Sequence, residues 1–242
     1  MAVVPYKEKE SGKKEQVAEM FNSISRRYDF LNHFLSLGID IRWRKKAAKL
    51  LREDQPKQIL DVATGTGDFA ITAYNILKPE KVVGVDISKG MLEVGREKMK
   101  KKGLQDVIEM HLGDSEGLPF DENKFDAIIV AFGVRNFENL QKGLADMCRV
   151  LKPGGKLVVL EFSQPTRFPI KQLYQFYFRY ILPTIGKIVS KDSSAYTYLP
   201  ESVNVFPFGE AFQKELEGVG FTNTTCKPLT FGISSIYTGI KP

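Results

Sequence analysis

The fold of this chain is decided by the stretch Ile59-Leu60-Asp61-Val62-Ala63-Thr64-Gly65-Thr66-Gly67-Asp68-Phe69-Ala70. An apolar run ends there at a Gly-x-Gly turn, and a helical pattern follows directly. A second apolar run, residues 82–86, ends in the carboxylate of Asp86 about twenty residues further along the chain. That spacing is typical of an acid that hydrogen-bonds a ribose. The sequence therefore predicts an adenosine site in a doubly wound α/β sheet.

Three acidic side chains favour a cationic adenosine cofactor over a dinucleotide. Asp61 lies at the strand end, where it would repel a pyrophosphate, and Asp68 begins a helix whose N-terminus would otherwise attract phosphate. Asp114 follows a third predicted strand, residues 107–112. Because an ammonium or sulfonium group suits these carboxylates, we expect S-adenosylmethionine as the cofactor. The alternative, in which the acids only cap helices, stays open at this point.

Length and composition fit a single domain, since 242 residues with 43% hydrophobic content can build one substantial core. Cys148 and Cys226 lack metal-ligand or redox spacing, so we expect no metal site. Residues 1–14 are charged and lack the apolar segment of a secretion signal. No apolar run approaches the roughly 20 residues that a membrane span needs. These features predict a cytoplasmic protein.

The formal net charge of +6 is concentrated in two clusters of lysine and arginine. Residues 96–102 have the pattern of a solvated helix face. Residues 42–49 place basic side chains beside aromatic and apolar ones, so contact with the inner face of an anionic membrane is a second interpretation for that cluster. No recognition helix or base-stacking module is present, and we expect no nucleic-acid partner. The sequence leaves open whether two copies of the chain form a homodimer.

Alternating strand and helix patterns predict parallel strands joined by right-handed crossovers. We divide the chain into an N-terminal helical cover (1–56), a cofactor-binding core (57–163) and a last part with substrate-side helices and a C-terminal hairpin (164–242). The predicted strands are 58–63, 81–86, 107–112, 125–131 and 156–162, followed by the hairpin 222–240. The predicted helices are 13–36, 41–52, 68–77, 88–102, 140–151, 170–187 and 209–219, with a loose segment up to residue 207.

Three motifs make the chain resemble a known family. They are residues 28–43 (YDFLNHFLSLGIDIRW), residues 132–136 (FGVRN) and residues 149–163 (RVLKPGGKLVVLEFS). The chain resembles the ubiquinone/menaquinone biosynthesis C-methyltransferases from about Gly12 to its end, and more loosely all Rossmann-like class I S-adenosylmethionine-dependent methyltransferases. The resemblance implies a seven-stranded, mostly parallel sheet with a C-terminal antiparallel hairpin and an N-terminal helical cover.

The resemblance also implies which residues contact the cofactor. Thr66 and Asp86 correspond to cofactor contacts, and Asp114 and Ser115 correspond to contacts around adenine. Ala131 stands where some ubiquinone-pathway relatives carry a serine, which favours the menaquinone branch. Together with the acid before the turn and the two turn glycines, the predicted cofactor-binding residues are Asp61, Gly65, Thr66, Gly67, Asp86, Asp114 and Ser115.

Transfer of a methyl group to an aromatic carbon needs a hydroquinone whose neighbouring oxygen has lost, or partly lost, its proton. Arg135 is always protonated and would stabilise a phenolate, while Asn136 would donate to a ring oxygen or orient a water. Both follow the fourth strand, at the sheet edge where ligands bind. The alternative is a loop arginine paired with an acid and an asparagine that caps a helix. Candidate substrate residues on the first helix are Tyr28, Asn32 and His33.

Aromatic residues crowd the segment 168–187, which is too polar to span a bilayer. The segment either lines a channel for a prenyl tail, lies on a membrane surface, or caps the sheet as a core helix. The preferred substrate is a polyprenylated hydroquinone, demethylmenaquinol. The enzymatic alternative is the methoxy-benzoquinol of ubiquinone synthesis, or methylation of both substrates, and another small lipid acceptor is a weaker alternative. A non-catalytic cofactor-binding scaffold of a quinone-synthesis complex is the alternative of another class.

Overall fold

The computed structural model describes residues 3–181, 184 and 194–242. Its centre is a seven-stranded sheet with the order β3-β2-β1-β4-β5-β7-β6. β7 is antiparallel to both β5 and β6, and the other neighbouring strands are parallel. The strands are β1 (Gln58–Val62), β2 (Lys81–Asp86), β3 (Ile108–Leu112), β4 (Phe125–Ala131), β5 (Leu151–Phe162), β6 (Thr222–Leu229) and β7 (Ser234–Ile240).

Helices cover both faces of the sheet. They are α1 (Lys13–Leu35), α2 (Ile39–Lys49), α3 (Asp68–Leu77), α4 (Lys89–Lys102), α5 (Leu140–Val150), α6 (Ile170–Phe176), α7 (Ser194–Val205) and α8 (Glu210–Gly218). Short 3-10 turns follow β4 (Val134–Asn136) and β6 (Thr230–Gly232), and a π-helical turn (Tyr177–Ile181) continues α6. Among the described residues, no helix combines the length and the apolar character needed to cross a membrane.

Alternate residues of the central strands point to opposite faces, and each face has its own buried core. On one face Leu60 and Val62 of β1 pack with residues of α5 and α8. On the other face Ile59 packs with residues of α2, α3 and α4. Both sets are apolar because helices cover the parallel strands on both sides, so these strands carry continuous apolar runs. The predicted fold class is confirmed.

Two predicted elements differ from the structure. The segment predicted to be loose up to residue 207 contains α7, which we missed because Pro200 normally interrupts helices. Tertiary packing overrides that preference, since Ala195, Tyr198 and Val203 of α7 are buried. β5 begins at Leu151, five residues earlier than predicted, because Leu151 already pairs with Phe125 of β4. Of the helix predicted near 170–187, residues 182–183 and 185–187 lie outside the described residues.

The strand order reverses at β1, which lies between β2 and β4. The loops that follow β1 and β4 therefore leave the sheet in opposite directions, and a crevice forms between them. The loops meet closely at one point, where a Cβ atom added to Gly133 would lie 2.5 Å from the Cβ of Ala63. Ala63 has a left-handed backbone (φ 53°). Glycine at residue 133 thus sets the width of the crevice.

We predict that Gly133→Ala destabilises the protein by about 2 kcal/mol, because neither methyl group can rotate away and the two loops must separate. Ala63→Gly in the same chain removes the clash and suits the left-handed backbone, so the double variant should regain most of the free energy of unfolding. Urea denaturation measures both effects. Gly117→Ala is the control, since a Cβ there meets no atom within 4 Å. A Gly133→Ala variant as stable as this control would refute the close approach.

Candidate active site

A cavity lies in the crevice, at the carboxyl ends of β1 to β4, with about 640 Å³ of empty space that includes open solvent. Its floor consists of the loops after these strands, and α1 covers it from above. Four of the predicted cofactor residues line this cavity: Gly65 after β1, Asp86 at the end of β2, and Asp114 and Ser115 after β3. The structure therefore brings together residues that are up to 50 positions apart in the printed sequence.

The carboxylate of Asp86 is held in place by backbone amides. Its Oδ2 accepts a hydrogen bond from the Gly65 amide at 2.8 Å, and its Oδ1 accepts one from the Ser88 amide at 2.8 Å. Burial raises the pKa of Asp86, while the backbone donors oppose that rise. The same carboxylate therefore links the Gly-rich turn after β1 to the start of α4.

Asp114 is the second carboxylate of the cavity, and it ties the loop after β3 to α1. Its Oδ1 accepts a hydrogen bond from the Glu116 amide at 2.9 Å. Its Oδ2 lies 2.6 Å from Nζ of Lys14 in α1, and this hydrogen bond raises the pKa of Lys14. Glu116, nearly buried, lies 3.3 Å from the same ammonium group. The cavity is consequently acidic at both ends of its floor.

Three predicted cofactor residues are not among the residues that line the cavity, namely Asp61, Thr66 and Gly67. Asp61 is buried below the turn, where its Oδ2 accepts a hydrogen bond from the Thr64 hydroxyl at 2.7 Å. The Thr66 hydroxyl donates to Asp29 of α1 at 2.5 Å and accepts from Lys98 of α4 at 3.0 Å. These side chains hold the turn and its neighbouring helices in position.

His33, predicted on the substrate side, lies in an ionic network between helices and lines neither cavity. Its Nδ1 is 2.9 Å from Asp40 of α2 and its Nε2 is 3.3 Å from Asp68 of α3. Lys98 joins the same network through Asp68 at 2.8 Å. The network attaches the C-terminal half of α1 to the rest of the molecule.

A second and larger cavity adjoins the first, with about 1750 Å³ of empty space that includes open solvent. It lies between α1, α2, α6, the π-helical turn, α7 and the turn after β6. Its walls are mainly aliphatic and aromatic, and they include the predicted residues Tyr28, Asn32, Arg135 and Asn136. A cavity of this size and character suits a ligand with a long apolar part.

The two cavities share four lining residues: Phe21 and Tyr28 of α1, and Phe132 and Asn136 after β4. A ligand in the acidic cavity and a ligand in the apolar cavity would therefore meet at these side chains. Asn136 is buried, and its Nδ2 donates to the Phe132 carbonyl oxygen at 3.3 Å. Its Oδ1 has no hydrogen-bond partner within the described part of the chain. Asn136 thus presents an acceptor without a partner among the described residues, and its predicted roles as a donor to a ring oxygen or as a group that orients a water stay predictions.

Arg135 is held by an acid that we did not predict as a site residue. Its Nη1 donates to Oε1 of Glu161 at 2.7 Å and to the Phe132 carbonyl oxygen at 2.6 Å. Glu161 is fully buried at the end of β5, and burial raises its pKa while the guanidinium opposes that rise. The pairing matches the alternative interpretation of Arg135, yet the side chain also lines the apolar cavity. Its Nε is buried without a partner among the described residues.

The sequence contains a signal that could have identified Glu161 as a site residue. It is the single charged residue in the apolar run Leu157–Phe162, at the carboxyl end of a strand, where site residues of such folds lie. A carboxylate in a strand that is buried on both faces needs a cation as partner, and Arg135 after the neighbouring strand is the nearest candidate in the fold. Arg135 and Asn136 could be predicted as site residues because they lie in the short turn just after β4.

The residues of the first cavity fit S-adenosylmethionine. Two carboxylates, Asp86 and Asp114, suit hydroxyl, amino and cationic groups, and they disfavour a pyrophosphate. Gly65 has φ 57°, and the space where its Cβ would point is empty for 4 Å, so a ligand can approach the backbone closely. This geometry matches the close backbone approach that the Gly-x-Gly pattern predicts.

Comparisons with known proteins agree with this geometry. A model of the ubiE/COQ5 methyltransferase family matches residues 9–241. The demethylmenaquinone methyltransferase of Bacteroides fragilis is 54% identical over 229 residues, which are 95% of this chain and 94% of that protein. The ubiquinone/menaquinone biosynthesis C-methyltransferase UbiE of Geobacter sulfurreducens is 45% identical, over 95% of this chain and 90% of that protein. A solved methyltransferase from Thermotoga maritima, 18% identical, superposes with a TM-score of 0.63 over 92% of this chain and 100% of that one.

The family model and the sheet order together define the class, the S-adenosylmethionine-dependent methyltransferases. Within that class, the chain belongs to the ubiE/COQ5 methyltransferase family. The predicted enzyme class and the predicted cofactor are thereby confirmed.

We predict that Asp61 makes the stability of the apoprotein depend on pH. Burial raises the pKa of Asp61 from 3.8 to about 7, so the folded state binds a proton that the unfolded state has already released. The free energy of unfolding should therefore fall as the pH rises from about 4 to about 7, by at most about 4 kcal/mol. Asp61→Asn removes this contribution and should be the more stable protein at pH 8.

Urea denaturation of both proteins at several pH values between 4 and 8 measures the difference. Asp121→Asn serves as the control, because Asp121 is exposed. An Asp61→Asn variant with the same pH dependence as the wild type would show that Asp61 titrates normally.

Proposed function

We propose that this chain transfers the methyl group of S-adenosylmethionine to a ring carbon of demethylmenaquinol, which then gives up its proton to water, and so forms menaquinol and S-adenosylhomocysteine. The observation that carries the proposal is the apolar cavity, which meets the acidic cavity at Phe132 and Asn136. A prenyl tail needs a long apolar cavity, and a ring carbon must reach the methyl group. The Bacteroides fragilis relative, named a demethylmenaquinone methyltransferase, supports this substrate.

When bound, S-adenosylmethionine supplies an electrophilic methyl group together with its own leaving group. The chain therefore has to position the ring and to raise the nucleophilicity of one ring carbon, and holding the two reactants in line provides much of the acceleration. The side chains that line both cavities, Phe21, Tyr28, Phe132 and Asn136, are those that would hold the ring at the meeting point.

Arg135 and Asn136 are the proposed catalytic residues. The buried Nε of Arg135 has a free N–H among the described residues, and it would stabilise the developing phenolate in a cavity of low polarity. The Oδ1 of Asn136 would accept a hydrogen bond from the hydroquinone hydroxyl beside the reacting carbon and so orient it before its proton passes to water. Glu161 is a positioning residue, because it acts through the guanidinium of Arg135.

The proposal is tested by offering labelled S-adenosylmethionine with reduced demethylmenaquinol, reduced demethylated ubiquinol precursor, or both. We expect methylation of the naphthoquinol. Methylation of both substrates would extend the function to the ubiquinone pathway, which the Geobacter sulfurreducens relative named UbiE makes the second candidate. Cofactor binding without methylation of either acceptor would contradict the proposal and favour the scaffold alternative. Arg135→Lys should bind the cofactor normally and lose at least about tenfold in kcat, because a single ammonium replaces the guanidinium fork.

The proposal includes a peripheral membrane contact around the mouth of the apolar cavity. Large apolar side chains are exposed there, and we call them the rim: Phe34 (53%), Leu37 (91%), Phe168 (81%), Leu173 (61%) and Phe231 (78%). Leu173 and Phe231 also line the cavity. So do Leu35, Ile39 and Ile170, which lie one or two positions along the chain from the other three rim residues.

The side chains of Arg42, Lys45, Lys46 and Lys49 on α2 are exposed, whereas Trp43 and Arg44 of the same helix are buried. An exposed apolar rim with adjacent basic residues suits an anionic bilayer, in which a prenylated substrate also resides. Docking of the rim would let the ring enter the cavity while the distal part of the tail stays in the bilayer.

We predict that the protein cosediments with phosphatidylglycerol vesicles and that Leu37→Asp lowers its partition coefficient about tenfold, because one leucine contributes about 1.5 kcal/mol on burial. Val205→Asp is the matched control, since Val205 is 65% exposed and lies outside the rim. Binding should weaken with salt and with neutral phosphatidylcholine. Docking through the rim would be excluded if both variants lost vesicle binding equally, or if both bound the vesicles as well as the wild type does.

A further inference from the structure

Two tyrosine hydroxyls are buried in the wall of the apolar cavity without a hydrogen-bond partner among the described residues. They belong to Tyr174 of α6 and Tyr198 of α7. Tyr198 is only 3% exposed. A third tyrosine of the same wall, Tyr177, differs, because its hydroxyl donates to the Leu35 carbonyl oxygen at 3.1 Å. Lack of a hydrogen-bond partner among the described residues is therefore not a property of every tyrosine that lines this cavity.

A buried hydroxyl without a partner costs roughly 1–3 kcal/mol, and native structures rarely keep one. Phenylalanine would fill the same space at both positions without that cost. Because both side chains line the cavity, a molecule that enters it can supply the missing partner. The hydroxyls of Tyr174 and Tyr198 thus have the character of ligand-recognition groups in an otherwise apolar wall.

Both phenols lie within electrostatic range of the ion pair formed by Arg135 and Glu161. Burial raises the pKa of both tyrosines, to about 12 for Tyr198, while Arg135 lowers and Glu161 raises them to a smaller extent. The two hydroxyls therefore stay protonated at neutral pH and can donate hydrogen bonds. Four buried polar atoms without a partner among the described residues belong to side chains that line this cavity: Arg135 Nε, Asn136 Oδ1, Tyr174 Oη and Tyr198 Oη.

We propose that Tyr198, together with Tyr174, binds the ring oxygen that lies opposite the oxygen held by Arg135 and Asn136. Asn136 also lines the cofactor cavity, so its oxygen partner is the one beside the carbon that is methylated. The opposite oxygen of a hydroquinone then faces the tyrosines. This assignment rests on the proposed function and makes Tyr198 a specificity-determining residue, which selects a hydroquinone over a phenol with a single oxygen.

The assignment is also compatible with the chemistry. The oxygen beside the reacting carbon supplies the electron density for attack, whereas the opposite oxygen is meta to that carbon. Hydrogen bonds from Tyr174 and Tyr198 to the meta oxygen therefore bind the ring without deactivating the reacting carbon. Such contacts are equal in the ground state and the transition state, so their loss should raise KM and leave kcat nearly unchanged.

The test compares two ligands in the presence of S-adenosylhomocysteine. One is a prenylated naphthohydroquinone, and the other is the matching prenylated naphthol, which keeps only the hydroxyl beside the reacting carbon. We expect the wild type to bind the hydroquinone roughly tenfold more tightly than the naphthol. Tyr198→Phe should lose most of this discrimination, with about tenfold weaker hydroquinone binding, and should bind the naphthol as before. Calorimetric titration gives all four dissociation constants.

Tyr180→Phe is the matched control, because Tyr180 belongs to the π-helical turn, is 54% exposed and is not among the residues that line the cavity. Tyr198→Phe should melt at the wild-type temperature or above it, since no hydrogen bond within the described protein is lost. The assignment would be overturned if Tyr198→Phe weakened the binding of both ligands equally, or if it kept the wild-type ratio of the two dissociation constants. The second result would leave water as the partner of the Tyr198 hydroxyl. If the wild type methylates no hydroquinone, the proposed function fails first, and the assignment fails with it.

Discussion

The substrate end of this protein depends on one buried ion pair, which joins Arg135 after β4 to Glu161 at the end of β5. The two side chains are 2.7 Å apart, and Glu161 is fully buried. Removing one partner of such a pair leaves an unpaired buried charge, which typically costs 3–5 kcal/mol. Lys13 at the start of α1 donates to the carbonyl oxygens of Arg135 and Phe137, at 3.1 and 2.8 Å. The helix that covers the cofactor cavity is thus attached to the same short turn that carries the arginine.

The two cavities differ in chemistry because different parts of the fold form them. Loops at the carboxyl ends of β1 to β4 supply the carboxylates of the first cavity, such as Asp86 and Asp114. Helices outside the sheet supply the apolar walls of the second cavity. Among the described residues, four side chains belong to both, so a methyl donor and an apolar acceptor could be bound separately and still meet. Under the proposed function, this division would let the helices determine the acceptor and the strand ends determine the donor.

Most of the fold could be predicted from the sequence because it follows from local patterns. The strands β1, β2 and β4 are largely apolar runs, and Asp86, Asp114 and Ser115 lie at or just after the ends of strands, where ligands bind in such sheets. Residues whose placement depends on distant partners were not predictable in this way. Glu161 acquires its role from Arg135, 26 residues earlier, and Thr66 turns toward Asp29 of α1. Tyr198 lies on α7, whose internal proline hid the helix from a local interpretation.

Methyl transfer at the meeting point of the two cavities is tested most directly by a crystal structure with S-adenosylhomocysteine and an unreactive demethylmenaquinol analogue bound together. We expect the sulfur atom in the acidic cavity beside Asp86 and the ring in the apolar cavity beside Asn136. The ring carbon should lie about 3–3.5 Å from the position of the transferred methyl group. A ring bound outside the apolar cavity, or separated from the sulfur atom by a closed wall of Tyr28 and Phe132, would contradict this location for the reaction.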